Sequence, residues 1–146
     1  MPTQNTPEVP RLLECPAGTE YDEQAFQYFV SLEAARAARA GQHVRLLLAA
    51  IEPTTNLPMP FSRVVARSVF EGLRSAMRET DIIGWHRQGL VAGVVLTAWP
   101  ETLAGGLSVF ERRIEHGLRR RLPVGLARSL RVRVVTHGPA NDRSGM

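Results

Sequence analysis

The sequence predicts an α+β domain in which a leading helix precedes the order strand, helix, strand, strand, helix, strand. Three observations predict it. Apolar residues recur at helical spacing in three separate segments, while Val44 to Ile51 is an unbroken apolar run of strand length. Two further short apolar runs flank the polar stretch His86-Arg87-Gln88-Gly89, as the strands of a hairpin flank its turn. At 146 residues and 44% hydrophobic composition, one core can form without help from disulfides or metals.

The elements follow in order. Residues 1–21 carry Pro2, Pro7, Pro10 and Pro16 and few large apolar side chains, and 137–146 are small and polar, so both ends are expected to be disordered around a domain spanning 22–136. Asp22 suits an N-cap. Beyond it, Phe26, Phe29, Val30 and Ala34 mark one face of a helix over Glu23 to Ala40 that stops at Gly41. Val44 to Ile51 reads as a strand covered on both faces. The prolines at 58 and 60 make Thr54 to Pro60 a loop, after which Ser62 caps a helix with Ala66, Val69, Phe70, Leu73 and Met77 inward, ending near Arg78. Asp81–Trp85 and Leu90–Leu96 form the hairpin, with Gly89 supplying the unusual backbone angle. Leu103, Leu107, Phe110, Ile114 and Leu118 make the next helix, and Leu130 to Val135 alternates Arg with apolar residues like a half-exposed edge strand. That order is the split βαβ, or ferredoxin-like, arrangement, with two helices on one face of an antiparallel four-stranded sheet. Many unrelated functions use it.

Composition excludes several classes. The lone Cys15 cannot form an intramolecular disulfide or a Cys-based zinc site. No apolar run approaches the roughly 18 residues of a membrane helix, and the N-terminus lacks a basic segment followed by an apolar one, so no membrane insertion and a cytoplasmic location are expected. His43, His86, His116 and His137 show no ligand spacing, so no metal and no cofactor are expected. All 18 basic residues are Arg, giving a net charge of +4. Their densest cluster, Arg112 to Arg133, has no interleaved aromatics and reads as a solvated helix end and not as a nucleic-acid surface. Trp85 and Trp99 flank the hairpin and suit either packing or a partner surface. Gly105-Gly106 has no accompanying Lys and does not form a phosphate loop.

A family resemblance runs through residues 23 to 136. A helix bearing Arg36 and Arg39 leads into Arg45-Leu46-Leu47-Leu48-Ala49-Ala50-Ile51-Glu52, similar to the opening of a GGDEF (diguanylate-cyclase) domain, where such a strand ends in Asp-x-Asp. Arg74 to Trp85 resembles that family's R-x-x-D segment before its signature hairpin, and Ala92 to Leu96 the strand after it. Leu103 to Arg112 resembles its next helix. The resemblance implies a nucleotide-cyclase-like fold.

The departures imply lost catalysis. A cyclase must hold Mg²⁺ and GTP, and Mg²⁺ needs carboxylate oxygens close to the phosphates. The first metal carboxylate falls on Ala50, leaving Glu52 alone. The signature Gly-Gly-Asp/Glu-Glu-Phe is replaced by Arg87-Gln88-Gly89-Leu90-Val91. The chain therefore reads as a degenerate member and not as an enzyme.

What the resemblance leaves is an inhibition-type site for cyclic di-GMP. Arg78 and Asp81 match the R-x-x-D, and Arg112 matches the assisting Arg. Arg can fork onto guanine acceptors or phosphate, and a carboxylate can take guanine N–H groups. The same Arg and Asp can equally be a local ion pair and cap of small energetic value. Two functions stay open: a cyclic di-GMP receptor for signalling, and a ligand-free interaction module serving sugar-transferase or exopolysaccharide machinery. Since GGDEF domains often act as pairs, a homodimer is a further implied partner.

Overall fold

The computed structural model describes residues 20–54, 57–97 and 106–137. Cys15, Trp99, Leu103 and Gly105, and nearly all of the expected leader and tail, lie outside the described residues. Those described form four helices and an antiparallel sheet of five strands, a mixed α+β fold.

Helix α1, Glu23–Arg39, starts where the Asp22 carboxylate accepts from the Ala25 N–H at 2.8 Å. It ends at Gly41, whose φ of 72° is open to glycine and strained for other residues. Strand β1, Val44–Thr54, runs beyond the expected end at Ile51 and through Pro53. Pro53 is tolerated because only the last few residues of β1 face the short edge strand β2, Leu57–Met59, across an irregular register. Thr54 to Pro60 is thus not wholly a loop. Helix α2, Arg63–Ala76, is capped by Ser62, which accepts from the Val65 N–H at 3.2 Å. The hairpin strands are β3, Ile82–Arg87, and β4, Val91–Leu96, with Gly89 at φ 77° in the turn. Helix α3 is Gly106–Arg119, with Gly106 at φ 77°. A short helix α4, Val124–Ala127, and strand β5, Leu130–His137, complete the chain.

The antiparallel order is β5, β1, β4, β3, and β2 pairs the end of β1 on the edge it shares with β4, since Ile51 faces Leu130 of β5 on one side and Met59 of β2 on the other. Beyond β3, Tyr21 adds one parallel bridge to Gly84, so a residue assigned to the leader belongs to the folded unit.

The sheet is covered on both faces, as the unbroken apolar run of β1 requires. Leu47, Ala49 and Ile51 point to one side and pack with Val69, Phe70 and Leu73 of α2, Ile114 and Leu118 of α3, and Trp85. Val44 and Leu46 point to the other and pack with Phe26 and Val30 of α1. Phe26 and Phe70, both fully buried, anchor the two layers. No helix among the described residues is long and apolar enough to cross a membrane.

The outer edge of β5 is closed by side chains of α3. Glu111 accepts from the Val134 N–H at 2.6 Å and Glu115 from the Val132 N–H at 3.1 Å, while Arg119 donates to the Leu130 carbonyl at 3.0 Å. The helical i, i+4, i+8 repeat matches the every-second-residue spacing of outward groups on the strand. An edge that would otherwise accept another strand is occupied.

Candidate functional site

The hairpin turn, where the resemblance would put a catalytic signature, is tied into the scaffold. Gln88 Oε1 accepts from the Glu23 N–H at 2.9 Å, and Glu23 Oε1 accepts from the Gln88 N–H at 2.8 Å. This reciprocal pair also satisfies one of the free N–H groups at the start of α1. The Gly89 carbonyl accepts from the Phe61 N–H at 2.8 Å, just before α2. Both sides of the turn are therefore fixed.

Beside the turn, a cleft opens on the face of the sheet that carries α1. Leu48, Ala50, Glu52, Pro58, His86, Arg87, Val91, Arg131 and Arg133 line it, around about 220 Å³ of space. Its geometry follows from strand alternation: Leu48, Ala50 and Glu52 share one face of β1, and Arg131 and Arg133 share that face on β5, directly across at Ala50 and Leu48. Both Glu52 carboxylate oxygens lie 3.2 Å from Arg133 Nη2. Arg131 Nη1 donates to the carbonyls of Arg128 and Leu130 at 3.1 and 3.0 Å. Arg87 ends β3 and is exposed.

His86 forms the wall nearest α1. Its ring meets Phe26 edge-on, its carbonyl accepts from Gln27, and its Nδ1 is buried without a hydrogen-bond partner among the described residues. Burial pushes the imidazole pKa below its ordinary 6.5; Glu23 opposes that shift and Arg87 reinforces it.

The donor set expected for a cyclase metal does not fit Mg²⁺. Ala50 supplies a methyl group where the first carboxylate would stand, and Glu52 is turned to Arg133. Among the described residues, no three His, Cys, Asp or Glu side chains cluster as metal ligands.

The R-x-x-D residues lie at the opposite end of β3. Asp81 is held by three donors: the Arg78 N–H to Oδ2 at 3.0 Å, and the Thr97 N–H and hydroxyl to Oδ1, each at 3.1 Å. Asp81 thus fastens the turn after α2 to the end of β4. The structure brings Arg78 and Asp81 together through the Arg78 backbone; among the described residues the Arg78 guanidinium has no partner. Arg112 is exposed on α3 and likewise unpaired among the described residues. No contact draws Arg112 to the other two.

A second depression, of about 620 Å³, lies between α2 and α3. Gly72 sits there because a Cβ at that position would come within 2.6 Å of Leu118 Cδ2. Its rim carries Arg113, Arg120 and Arg121, neighbours in sequence of the expected Arg112.

Sequence reasoning missed Arg131 and Arg133 as cleft residues and read them as solvated charge. Part of their signal was present: Arg at alternate positions of a strand share one face with each other, while their sharing it with Ala50 and Glu52 follows from the β1–β5 register. No family model matches the chain, and no curated protein matches it either.

Proposed function

We propose that the chain is a non-catalytic regulatory domain of GGDEF-like, ferredoxin-like architecture that binds cyclic di-GMP through Arg78 and Arg112, with Asp81 as positioning residue. The antiparallel order β5, β1, β4, β3, with α2 and α3 on one face, is compatible with the split βαβ arrangement. One observation carries the non-catalytic reading: Ala50 stands where the metal carboxylate would be needed, and Gln88 of the replaced signature serves as a structural tie to Glu23. Arg78 and Arg112 supply guanidinium forks, unpaired among the described residues, that suit phosphate or a guanine acceptor edge.

The experiment is a calorimetric titration of the pure protein with cyclic di-GMP, without divalent cation. Saturable heat that Arg78→Ala abolishes is expected. Wild-type protein that gives no heat refutes the receptor reading, and product formed from GTP with Mg²⁺ or Mn²⁺ refutes the non-catalytic one.

One observation favours a second reading, a cytoplasmic interaction module for polysaccharide machinery: Asp81 is already engaged by three donors, which a structural turn requires and a guanine site does not. On that reading Arg78→Ala leaves partner binding intact, and substitutions in the hairpin disrupt it.

A further inference from the structure

The cleft beside Ala50 concentrates charge of one sign. Arg87, Arg131 and Arg133 line it against a single carboxylate, Glu52, and burial holds His86 toward its neutral form. Guanidinium groups crowded into a concave site repel one another unless an anion lies among them, and a low-dielectric floor sharpens that field. The floor here is apolar: Leu48, Ala50 and Val91.

Two of the three arginines are held in place before any ligand arrives. The Arg131 head rests on the Arg128 and Leu130 carbonyls, and the Arg133 head on Glu52. Each of those contacts uses a single terminal nitrogen, and a guanidinium has five N–H donors, so most of its fork is left for an oxyanion. Arg87 has no partner among the described residues. Pre-ordered forks lower the entropy cost of binding.

Size selects the ligand class. At about 220 Å³ the cleft falls below the roughly 300–1,000 Å³ of sites for drug-sized molecules. It admits a phosphate group with a short carbon portion, and not a dinucleotide. We propose that this cleft is a metal-independent binding site for a small phosphate ester, with Arg87, Arg131 and Arg133 on the phosphate oxygens and the carbon portion against Leu48, Ala50 and Val91. The site is separate from Arg78: the length of β3 lies between them, about 17 Å at ~3.4 Å per residue. It does not depend on cyclic di-GMP binding.

The test is an NMR titration of the ¹⁵N-labelled full chain with inorganic phosphate, glycerol 3-phosphate and acetate, at fixed ionic strength and with a chelator present. Saturable shifts from both phosphates at Ala50, Val91, Arg131 and Arg133 are expected, glycerol 3-phosphate binding the tighter. Arg131→Gln and the exposed Arg87→Gln should each weaken binding about tenfold, the scale of one charge-assisted hydrogen bond, while Arg78→Ala leaves it unchanged. Retained spectral dispersion in Arg87→Gln keeps the test valid if Arg131→Gln unfolds. Three results overturn the proposal: linear shifts without saturation, equal binding of acetate, or undiminished phosphate binding in Arg87→Gln.

Discussion

Gly93 to Ala is the substitution whose consequence follows most directly from the packing. Gly84 and Gly93 stand opposite each other on β3 and β4; Phe26 of α1 occupies the space a Gly93 side chain would fill, while at Gly84 Tyr21 comes closer than Phe26. A Cβ on Gly93 would lie 2.8 Å from Phe26 Cζ, 3.1 Å from its Cε2 and 3.2 Å from His86 Cβ. Phe26 is fully buried, so its ring has no open space to retreat into. Overpacking of this kind costs about 1–3 kcal/mol. Phe26→Leu alone removes three side-chain carbons, a loss of about 2 kcal/mol at ~0.8 kcal/mol per carbon. In the double variant the new methyl enters the space the ring has left, so the overpacking term disappears and the total should stay near about 2 kcal/mol. The expected coupling is about 1–3 kcal/mol in the stabilising direction, within the range seen for residues in contact. Urea denaturation of the four proteins, compared at constant m-value, measures it. Additivity within about 0.5 kcal/mol would show that Phe26 does not fill the glycine gap.

Three other outcomes are expected. Glu111→Ala and Glu115→Ala should each cost about 1–2 kcal/mol by leaving a β5 N–H unpaired, and the pair together should free the β5 edge for self-association, visible by light scattering; a monomeric double variant of unchanged stability contradicts the edge-closing role. Because burial lowers the His86 pKa in the folded state, the unfolded chain binds the proton first as pH falls below about 6.5. Folding stability should therefore decrease from pH 6.5 down to the lowered folded pKa and then level off, and His86→Gln should flatten that part of the profile in thermal melts. Asp81→Ala, which removes three acceptor contacts, should cost about 1–3 kcal/mol, with Asp81→Asn retaining part of it; an unchanged melting temperature in Asp81→Ala would mean that the turn does not need the carboxylate.

Much of the fold was legible because its signals are local. Asp22 and Ser62 were readable as caps, Gly41 as a helix stop and Gly89 as a turn residue, since each acts within a few positions in the chain. The unbroken run in β1 foretold cover on both faces, which α1 on one side and α2 with α3 on the other supply. What escaped depends on residues distant in sequence. Strand β2 has only Leu57–Met59, includes Pro58 and exists because the end of β1 lies beside it. The helix α4 is a single turn without a side-chain cap. The reciprocal Glu23–Gln88 pair and the Phe26 contact with the two glycines join positions about 60 residues apart in the chain, which no window of sequence connects. Of the candidate site, Arg78 and Asp81 are neighbours as their spacing implied, but the carboxylate faces backbone and Thr97 instead of a guanidinium.

The two ends of β3 carry different kinds of arginine, and that difference bears on how each could act. At the Asp81 end, the carboxylate is consumed by the turn and the Arg78 guanidinium has no partner among the described residues, so a ligand there must order a long side chain. At the Arg87 end, Arg131 and Arg133 are anchored by carbonyls and by Glu52. A small anion meets donors already in position. On the proposed reading, the Glu52 carboxylate, which the resemblance would place in a metal-binding acidic pair, has the opposite duty of orienting the Arg133 guanidinium for an anion. Glu52→Gln separates these roles. If Glu52 serves to orient Arg133, the amide keeps an acceptor oxygen and phosphate binding changes little; removal of its negative charge even favours the anion. If Glu52 instead serves a metal, Glu52→Gln abolishes a Mg²⁺ response that the wild-type protein would have to display in a parallel titration with Mg²⁺ and no chelator.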